Sequence, residues 1–250
     1  MEKYLDKIKQ FEEELFLKSQ MYFRDQLSVF DEMMELYLEP LEEISKNWYF
    51  KDEKSPEIML ISRIFNDFES SRILILHGLT EQAHMPMRDI VECMMLFRLF
   101  EYKPELALRW MKNLKEYSPS NVKAELSKSK VNCPEYDVLY GMLSELTHPN
   151  LLSVVHNVIE RKKTQSEWVI QTYTLGGVNN PTWTQMVFTN FLILLLMVMT
   201  EILLPAYYPV MNNPEEWRRK VISVGDILIE FGADLQFAEV EEGNLDKSDR

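Results

Sequence analysis

The chain has 250 residues, of which 46% are hydrophobic and 27% are charged, and only seven are glycine. This composition is typical of a globular protein that buries a core, and the scarcity of glycine favours helix over sheet. The net charge of −13 disfavours indiscriminate nucleic-acid binding, although the acidic excess lies in residues 1–57 and 226–250 and the middle of the chain is balanced.

The N-terminal residues carry charges where a signal peptide would have an apolar run, and a helix is predicted from Glu2 to Ile44. Pro40 is expected to break or kink this helix near Leu38. Two interpretations of its apolar seam stay open: a helix that lies on its own domain, or a dimerisation arm. The seam follows steps of three and four, with Gln20 filling one place, and consists of Phe16, Phe23, Leu27, Phe30, Met34, Tyr37, Leu41 and Ile44.

Proline and cap residues mark the helices that follow, because proline fits the first turn of a helix and disfavours helical geometry in the residue before it. They predict helices over residues 56–79 and 80–102, a helix that begins at residue 104, and a helix over 134–148.

Residues 152–175 leave the helical pattern. Two runs of β-branched and aromatic residues, Ser153–Ile159 and Trp168–Thr174, predict a β-hairpin. A hydrophobic helix should then run from Pro181 to Leu204, where Pro205 stops it. Its most apolar stretch, Phe191–Met199, is shorter than the roughly 20 residues that span a bilayer, which predicts a core helix and no membrane contact.

A last helix is predicted from Pro214 to about Phe231, followed by residues whose acidic composition is typical of a flexible tail. The expected fold is mainly α: a helical bundle with one small β-hairpin at about 152–175. Its predicted parts are an N-terminal helical arm (1–47), a helical core domain (56–232) and a flexible acidic tail (233–250). Cys93 and Cys133 lack metal-ligand spacing, and the scarcity of cysteine agrees with a cytoplasmic location.

The residues best placed for chemistry lie on two otherwise apolar helices. Arg88 and Glu92 are four residues apart and share one helix face, and Tyr140, Ser144 and His148 recur at steps of four on another helix. If these faces meet, the five side chains form a buried polar network. In a structural role, Arg88 and Glu92 are an ion pair and His148 a helix-end histidine. In a catalytic role, His148 is the general acid/base, Arg88 holds an anion and Glu92 sets the tautomer of His148.

The series Arg88-Asp89-Ile90-Val91-Glu92, then Tyr140-x-x-x-Ser144-x-x-x-His148-Pro149, resembles a pattern of bacterial all-helical proteins of about this length. The resemblance covers roughly residues 60–160. These proteins are compared with HEPN domains, helical modules of toxin and phage-defence systems.

HEPN ribonucleases cut RNA without a metal and show an Arg followed four to six residues later by a His. Arg72 and His77 fit that spacing, but Ile73 stands where the motif usually has a polar residue. The competing interpretation of this pair is a rim charge and a core histidine.

Basic residues are also dense between positions 109 and 130, with further short runs at Arg161–Lys163 and Arg218–Lys220. A solvated helix face is the default interpretation. An RNA or phosphate surface requires that these residues converge in space, beside aromatic rings if a single strand binds. The residues of the dense segment are Arg109, Lys112, Lys115, Lys123, Lys128 and Lys130.

No two histidines stand at the His-x-x-x-His spacing that anchors a metal within a helix, so no metal or cofactor is predicted. The leading hypothesis is a cytoplasmic helical interaction or regulatory protein that forms a homo-oligomer through its N-terminal helices, with a protein partner and no membrane partner. The alternative is a metal-independent, HEPN-like ribonuclease that acts as a toxin or phage-defence effector, with RNA as the less favoured partner. Whether the chain is an enzyme stays open.

Overall fold

A computed structural model describes residues 2–47, 55–112, 117–131, 133–147, 158–163, 168–172 and 181–245. Helices dominate these residues, which confirms the predicted mainly α class. The chain divides into a terminal unit (Met1–Lys46 with Asn180–Arg250) and a central unit (Asn47–Asn179). This grouping differs from the predicted arm, core and tail, because the N-terminal helices belong with the C-terminal helices in one unit.

The central unit is organised around one buried helix. It contains α3 (Ser55–Leu76), α4 (Thr80–Tyr102), α5 (Pro104–Lys112), α6 (Pro119–Lys128) and α7 (Pro134–Thr147). Helix α4 contacts α3, α5, α6 and α7, and its apolar side chains are buried on nearly all sides. A turn at Gly78 separates α3 from α4, and its φ of 73° is a left-handed conformation that glycine adopts without strain.

Two short strands follow α7 along the chain. Strand β1 (Val158–Lys163) pairs antiparallel with β2 (Trp168–Thr172), and the register is irregular between Val158 and Glu160. Both strands fall within the range for which the hairpin is predicted. The other residues of that range, 152–157, 164–167 and 173–175, lie outside the described residues.

The terminal unit begins with α1 (Glu2–Tyr22) and α2 (Arg24–Asn47), which are almost one helix: Phe23 N–H still donates to Ser19 O and Leu27 N–H to Phe23 O, both at 2.9 Å. The predicted apolar seam of these helices is buried at Phe23 and Phe30, whose rings lie 6.1 Å from Phe188 and 5.3 Å from Phe191. From Phe23 onward the seam therefore packs on its own unit, as the first of the two interpretations predicts for this part of the helix.

Pro40 does not end the helix. Of the predicted break or kink near Leu38, the break is wrong, because α2 continues through Pro40 to Asn47. A helix normally satisfies the carbonyl of Leu36 with the N–H of residue 40, and proline has none. The indole Nε1 of Trp217 donates to this buried carbonyl at 2.8 Å. A side chain from a distant helix thus supplies the missing donor.

The hydrophobic helix also passes its predicted end. It comprises α8 (Pro181–Val198), a π-helical turn (Met199–Leu203) and α9 (Leu204–Tyr207). In the π-helical turn the N–H of Leu204 reaches back to Met199 O, and this local change lets the helix continue past Pro205. By length and composition alone, Pro181–Tyr207 is apolar enough to cross a membrane, and 61% of its most apolar 18-residue window is buried inside the protein.

The last helix, α10, extends from Pro214 to Leu245, after a short 3-10 turn at Tyr208–Val210. The predicted end near Phe231 is therefore wrong, and most of the segment assigned to a flexible tail has a helical backbone. The acidic composition of this segment is compatible with a helix, since glutamate has a good helix propensity.

Candidate functional site

The structure brings α4 and α7 together, and their polar side chains meet at the contact. We name this cluster the α4–α7 seam: Arg88, Glu92, Tyr140, Ser144 and Thr147. Arg88 Nη1 donates to Thr147 Oγ1 at 3.2 Å, and Arg88 Nε lies 3.6 Å from Glu92 Oε1. The hydroxyl of Tyr140 donates to the carboxylate of Glu92. His148, the fifth predicted member, lies outside the described residues.

The seam is partly open to water and partly buried. The side chains of Arg88 and Glu92 are each 27% exposed. Burial raises the pKa of Glu92, and the nearby Asp89 raises it further, while Arg88 and the hydrogen bond from Tyr140 act in the opposite direction. A carboxyl group in this position takes up a proton more readily than an exposed glutamate.

Two polar atoms of the seam are buried and lack a hydrogen bond within the described part of the chain, Ser144 Oγ and Arg88 Nε. A nucleophilic serine needs a base within hydrogen-bonding reach, and the described residues place none against Ser144. A role of Ser144 in chemistry therefore depends on His148, four residues further along the chain.

A second polar contact adjoins the seam on the α3 side of α4. Arg63 Nη2 lies 2.7 Å from Asp89 Oδ2, and Arg63 Nε lies 3.6 Å from Asp67 Oδ2. Burial raises the pKa of Asp67 to about 6; Arg63 opposes this shift, and Asp89 adds to it. The Oδ2 atom of Asp67 is buried without a hydrogen bond among the described residues.

Arg63, Asp67 and Thr147 were not predicted from the sequence. Arg63 and Asp67 have the same four-residue spacing as Arg88 and Glu92, so this signal was present in the sequence. Thr147 gave no such signal, because its role depends on the contact between two helices.

Cys93 lies beside these charged groups, but its thiol is unreactive. Its side chain is buried, and this burial raises the pKa of the thiol to about 12, with Arg63 acting in the opposite direction. Only a small fraction of such a thiol is ionised near neutral pH, so it is a poor nucleophile. This agrees with the interpretation of Cys93 as a small buried side chain.

The secondary pair, Arg72 and His77, lies at the end of α3. Arg72 is in an ion pair with Glu69, with Nη2 2.7 Å and Nε 3.1 Å from Oε2. His77 follows the end of α3, is half-buried, and donates its backbone N–H to Ile73 O at 3.0 Å. The ion pair with Glu69 is the arrangement expected for a rim charge.

Metal-ligating side chains do not gather in groups of three or more within the described ranges. The buried His84 illustrates a different use of such residues, because its Nδ1 lies 3.1 Å from the backbone oxygen of Glu81 and 3.9 Å from its carboxylate. This pairing belongs to the packing of the first turn of α4.

No known protein family matches this sequence, and neither does any curated protein or solved structure. The function must therefore be inferred from the contacts, exposure and charge of the residues themselves.

Proposed function

We propose that this chain is a cytoplasmic helical interaction or regulatory protein that forms a homodimer through α1. The supporting observation is the exposure of the first half of this helix. Every side chain that the structure describes from Asp6 to Glu14 is exposed, and Leu15 is the first buried residue among the described side chains of α1. The stretch from Lys9 to Glu14 is therefore open to a partner.

Large apolar side chains are exposed along α1. The exposed fractions are 45% for Phe11, 59% for Leu17, 81% for Met21 and 56% for Tyr22. An unpacked helical segment shorter than about 12–15 residues is only marginally stable in water, and apolar side chains grouped on a surface mark contact sites. A partner that covers these side chains would stabilise the helix and remove apolar area from water.

The charge pattern of α1 favours a second copy of the chain as that partner. Residues 2–9 carry three basic and two acidic side chains, and residues 12–18 carry three acidic and one basic. An antiparallel pair of α1 helices places the weakly basic stretch of one copy near the acidic stretch of the other, whereas a parallel pair places like charges together. Both arrangements satisfy the two-fold symmetry of a closed dimer, so the charge pattern is what favours the antiparallel one.

Sedimentation equilibrium of the full chain and of Phe11→Lys tests the proposal. Lysine keeps the helix propensity and replaces the apolar ring with a charge. We expect the unmodified chain to sediment at about twice its 29.7 kDa mass and Phe11→Lys at the monomer mass. The matched control is Ile229→Lys, at a 72% exposed position on α10, which should remain a dimer. A monomeric unmodified chain, or a dimeric Phe11→Lys, would overturn the proposal.

The cytoplasmic location is supported by the cysteines. Neither Cys93 nor Cys133, the two cysteines of the chain, takes part in a disulfide. Proteins of oxidising compartments commonly use their cysteines in disulfides.

A metal-independent, HEPN-like ribonuclease is the second candidate. It is favoured by the hydrogen bond from Arg88 to Thr147, because Thr147 directly precedes His148 in the sequence. The test is RNA cleavage by the purified chain and by Arg88→Gln and His148→Ala, with Arg72→Gln and His77→Ala as the comparison pair. Loss of cleavage only in the first pair, at unchanged thermal stability, supports the α4–α7 seam as the site. An inactive unmodified chain refutes this candidate.

A further inference from the structure

A cleft of about 350 Å³ opens in the central unit between α4, α5 and α6. Leu99, Leu106 and Val122 form its apolar lining, and polar groups of α5 and α6 lie around them. A volume of this size accommodates a small molecule, and polar and apolar groups share the lining about equally.

The charged groups of the cleft are mostly basic. Arg109 of α5 and Lys128 of α6 both line it, so two members of the basic segment between 109 and 130 converge on one cavity. The acidic residue in the lining is Glu125, which accepts from Lys103 Nζ at 2.8 Å and from Lys128 Nζ at 2.6 Å. If Lys128 turned toward an anion, Glu125 would keep Lys103 as its partner. Lys128 can therefore serve a ligand without leaving a carboxylate unpaired.

One wall of the cleft is aromatic and held in place. The Tyr117 hydroxyl donates to Leu106 O at 3.1 Å, and its ring packs against Phe100 at a centroid distance of 6.4 Å. A fixed ring of this kind is a surface on which a planar group can stack. The side-chain amide of Asn121, also in the lining, has both a donor and an acceptor for the polar edge of such a group.

We propose that this cleft binds a nucleoside monophosphate, with the base on Tyr117 and the apolar lining and the phosphate between Arg109 and Lys128. The apolar floor and the aromatic wall account for a planar base, the two cations for a doubly charged phosphate, and the volume for a ligand of nucleotide size. This proposal does not depend on self-association, because the cleft and α1 belong to different units.

Isothermal titration of the full chain with AMP, GMP, CMP and UMP tests this proposal. We expect at least one of them to bind at one site per chain. For the preferred base, the nucleoside alone and inorganic phosphate alone should each bind at least ten-fold more weakly, since each keeps only half of the recognition. Failure of all four nucleotides to bind would overturn the proposal, as would tighter binding of indole-3-acetate, an aromatic carboxylate.

Arg109→Gln and Lys128→Gln identify the site. Each should weaken binding of the nucleotide by about ten-fold or more, because each removes one charged contact with the phosphate. The matched control is Arg24→Gln, at an arginine of the terminal unit whose side chain is 84% exposed, and it should bind as the unmodified chain does. Equal affinities of all four proteins would place the ligand elsewhere and refute the assignment.

Discussion

The contact between Trp217 and α2 can be tested quantitatively. Trp217 is 1% exposed, and its indole Nε1 donates to Leu36 O, whose helical donor is missing because residue 40 is proline. Trp217→Phe leaves this buried carbonyl without its donor, at a cost of about 1–3 kcal/mol. The smaller ring also leaves unfilled volume in the core, which adds about 1 kcal/mol. We expect the free energy of unfolding to fall by about 2–4 kcal/mol in total.

Pro40→Ala separates the two contributions. Alanine restores an N–H at position 40, so Leu36 regains a helical donor and Trp217→Phe should cost about 1–2 kcal/mol less in this background. The assay is urea unfolding, followed by circular dichroism, of the unmodified chain, both single variants and the double variant. Pro86→Ala, which removes a helix-internal proline of α4 in the other unit, should leave the cost of Trp217→Phe unchanged. Equal costs in the unmodified and Pro40→Ala backgrounds would refute the compensation.

Three further substitutions test burial and packing. The pKa of Asp67 is raised from 3.8 to about 6, so its contribution to stability is present below about pH 4 and is lost as the pH rises through 6. In urea unfolding, Asp67→Asn should therefore be up to about 3 kcal/mol more stable than the unmodified chain at pH 8 and equally stable at pH 4. An equal gain in stability at both pH values would contradict this prediction. Ser144→Ala removes a buried hydroxyl that lacks a hydrogen bond in the described residues, so the free energy of unfolding should change by less than about 0.5 kcal/mol. A loss above about 1 kcal/mol would mean that this hydroxyl has a hydrogen-bond partner. In Gly225→Ala the new Cβ would lie 3.4 Å from Leu196 Cδ2, which is close to ordinary contact. Calorimetry should therefore show that the free energy of unfolding rises by about 0.5–1 kcal/mol, because alanine has the higher helix propensity. A lower melting temperature would mean that the Leu196 side chain cannot move aside.

Helix starts could be predicted from the sequence because their signals are local. Thr80, Pro104 and Pro134 begin helices at the predicted positions, and at the two prolines the fixed φ acts within one turn. Thr80 does not act as the predicted cap, because the N-cap residue of α4 is Leu79 and it makes no side-chain hydrogen bond. The predicted break at Pro40 was wrong for a reason that no local pattern contains. Its compensation comes from Trp217, which is 181 positions from Leu36 in the chain.

The candidate site was partly predictable for the same reason. A spacing of four fixes which side chains share a helix face, and this placed Arg88 with Glu92 and Tyr140 with Ser144. That the two faces meet is a property of tertiary packing, and spacing alone could not establish it. The contact of Arg63 on α3 with Asp89 on α4 also depends on tertiary packing. The same holds for the grouping of the terminal helices, because nothing near Phe23 in the sequence indicates its contact with Phe188.

One form that the proposed regulatory role can take is a coupling between ligand binding and self-association. By thermodynamic linkage, a nucleotide that changes the dimer dissociation constant must bind the dimer and the monomer with affinities that differ by the corresponding factor. Phe11→Lys, the variant that we expect to be monomeric, lies in the terminal unit and leaves the cleft residues untouched, so it would report the affinity of the monomer directly. Under the regulatory proposal we expect isothermal titration to show that Phe11→Lys and the unmodified chain bind the nucleotide with different affinities. Ile229→Lys should bind it with the same affinity as the unmodified chain. Equal affinities in all three would mean that assembly is indifferent to the ligand, and the chain would then be an interaction protein with a separate binding site.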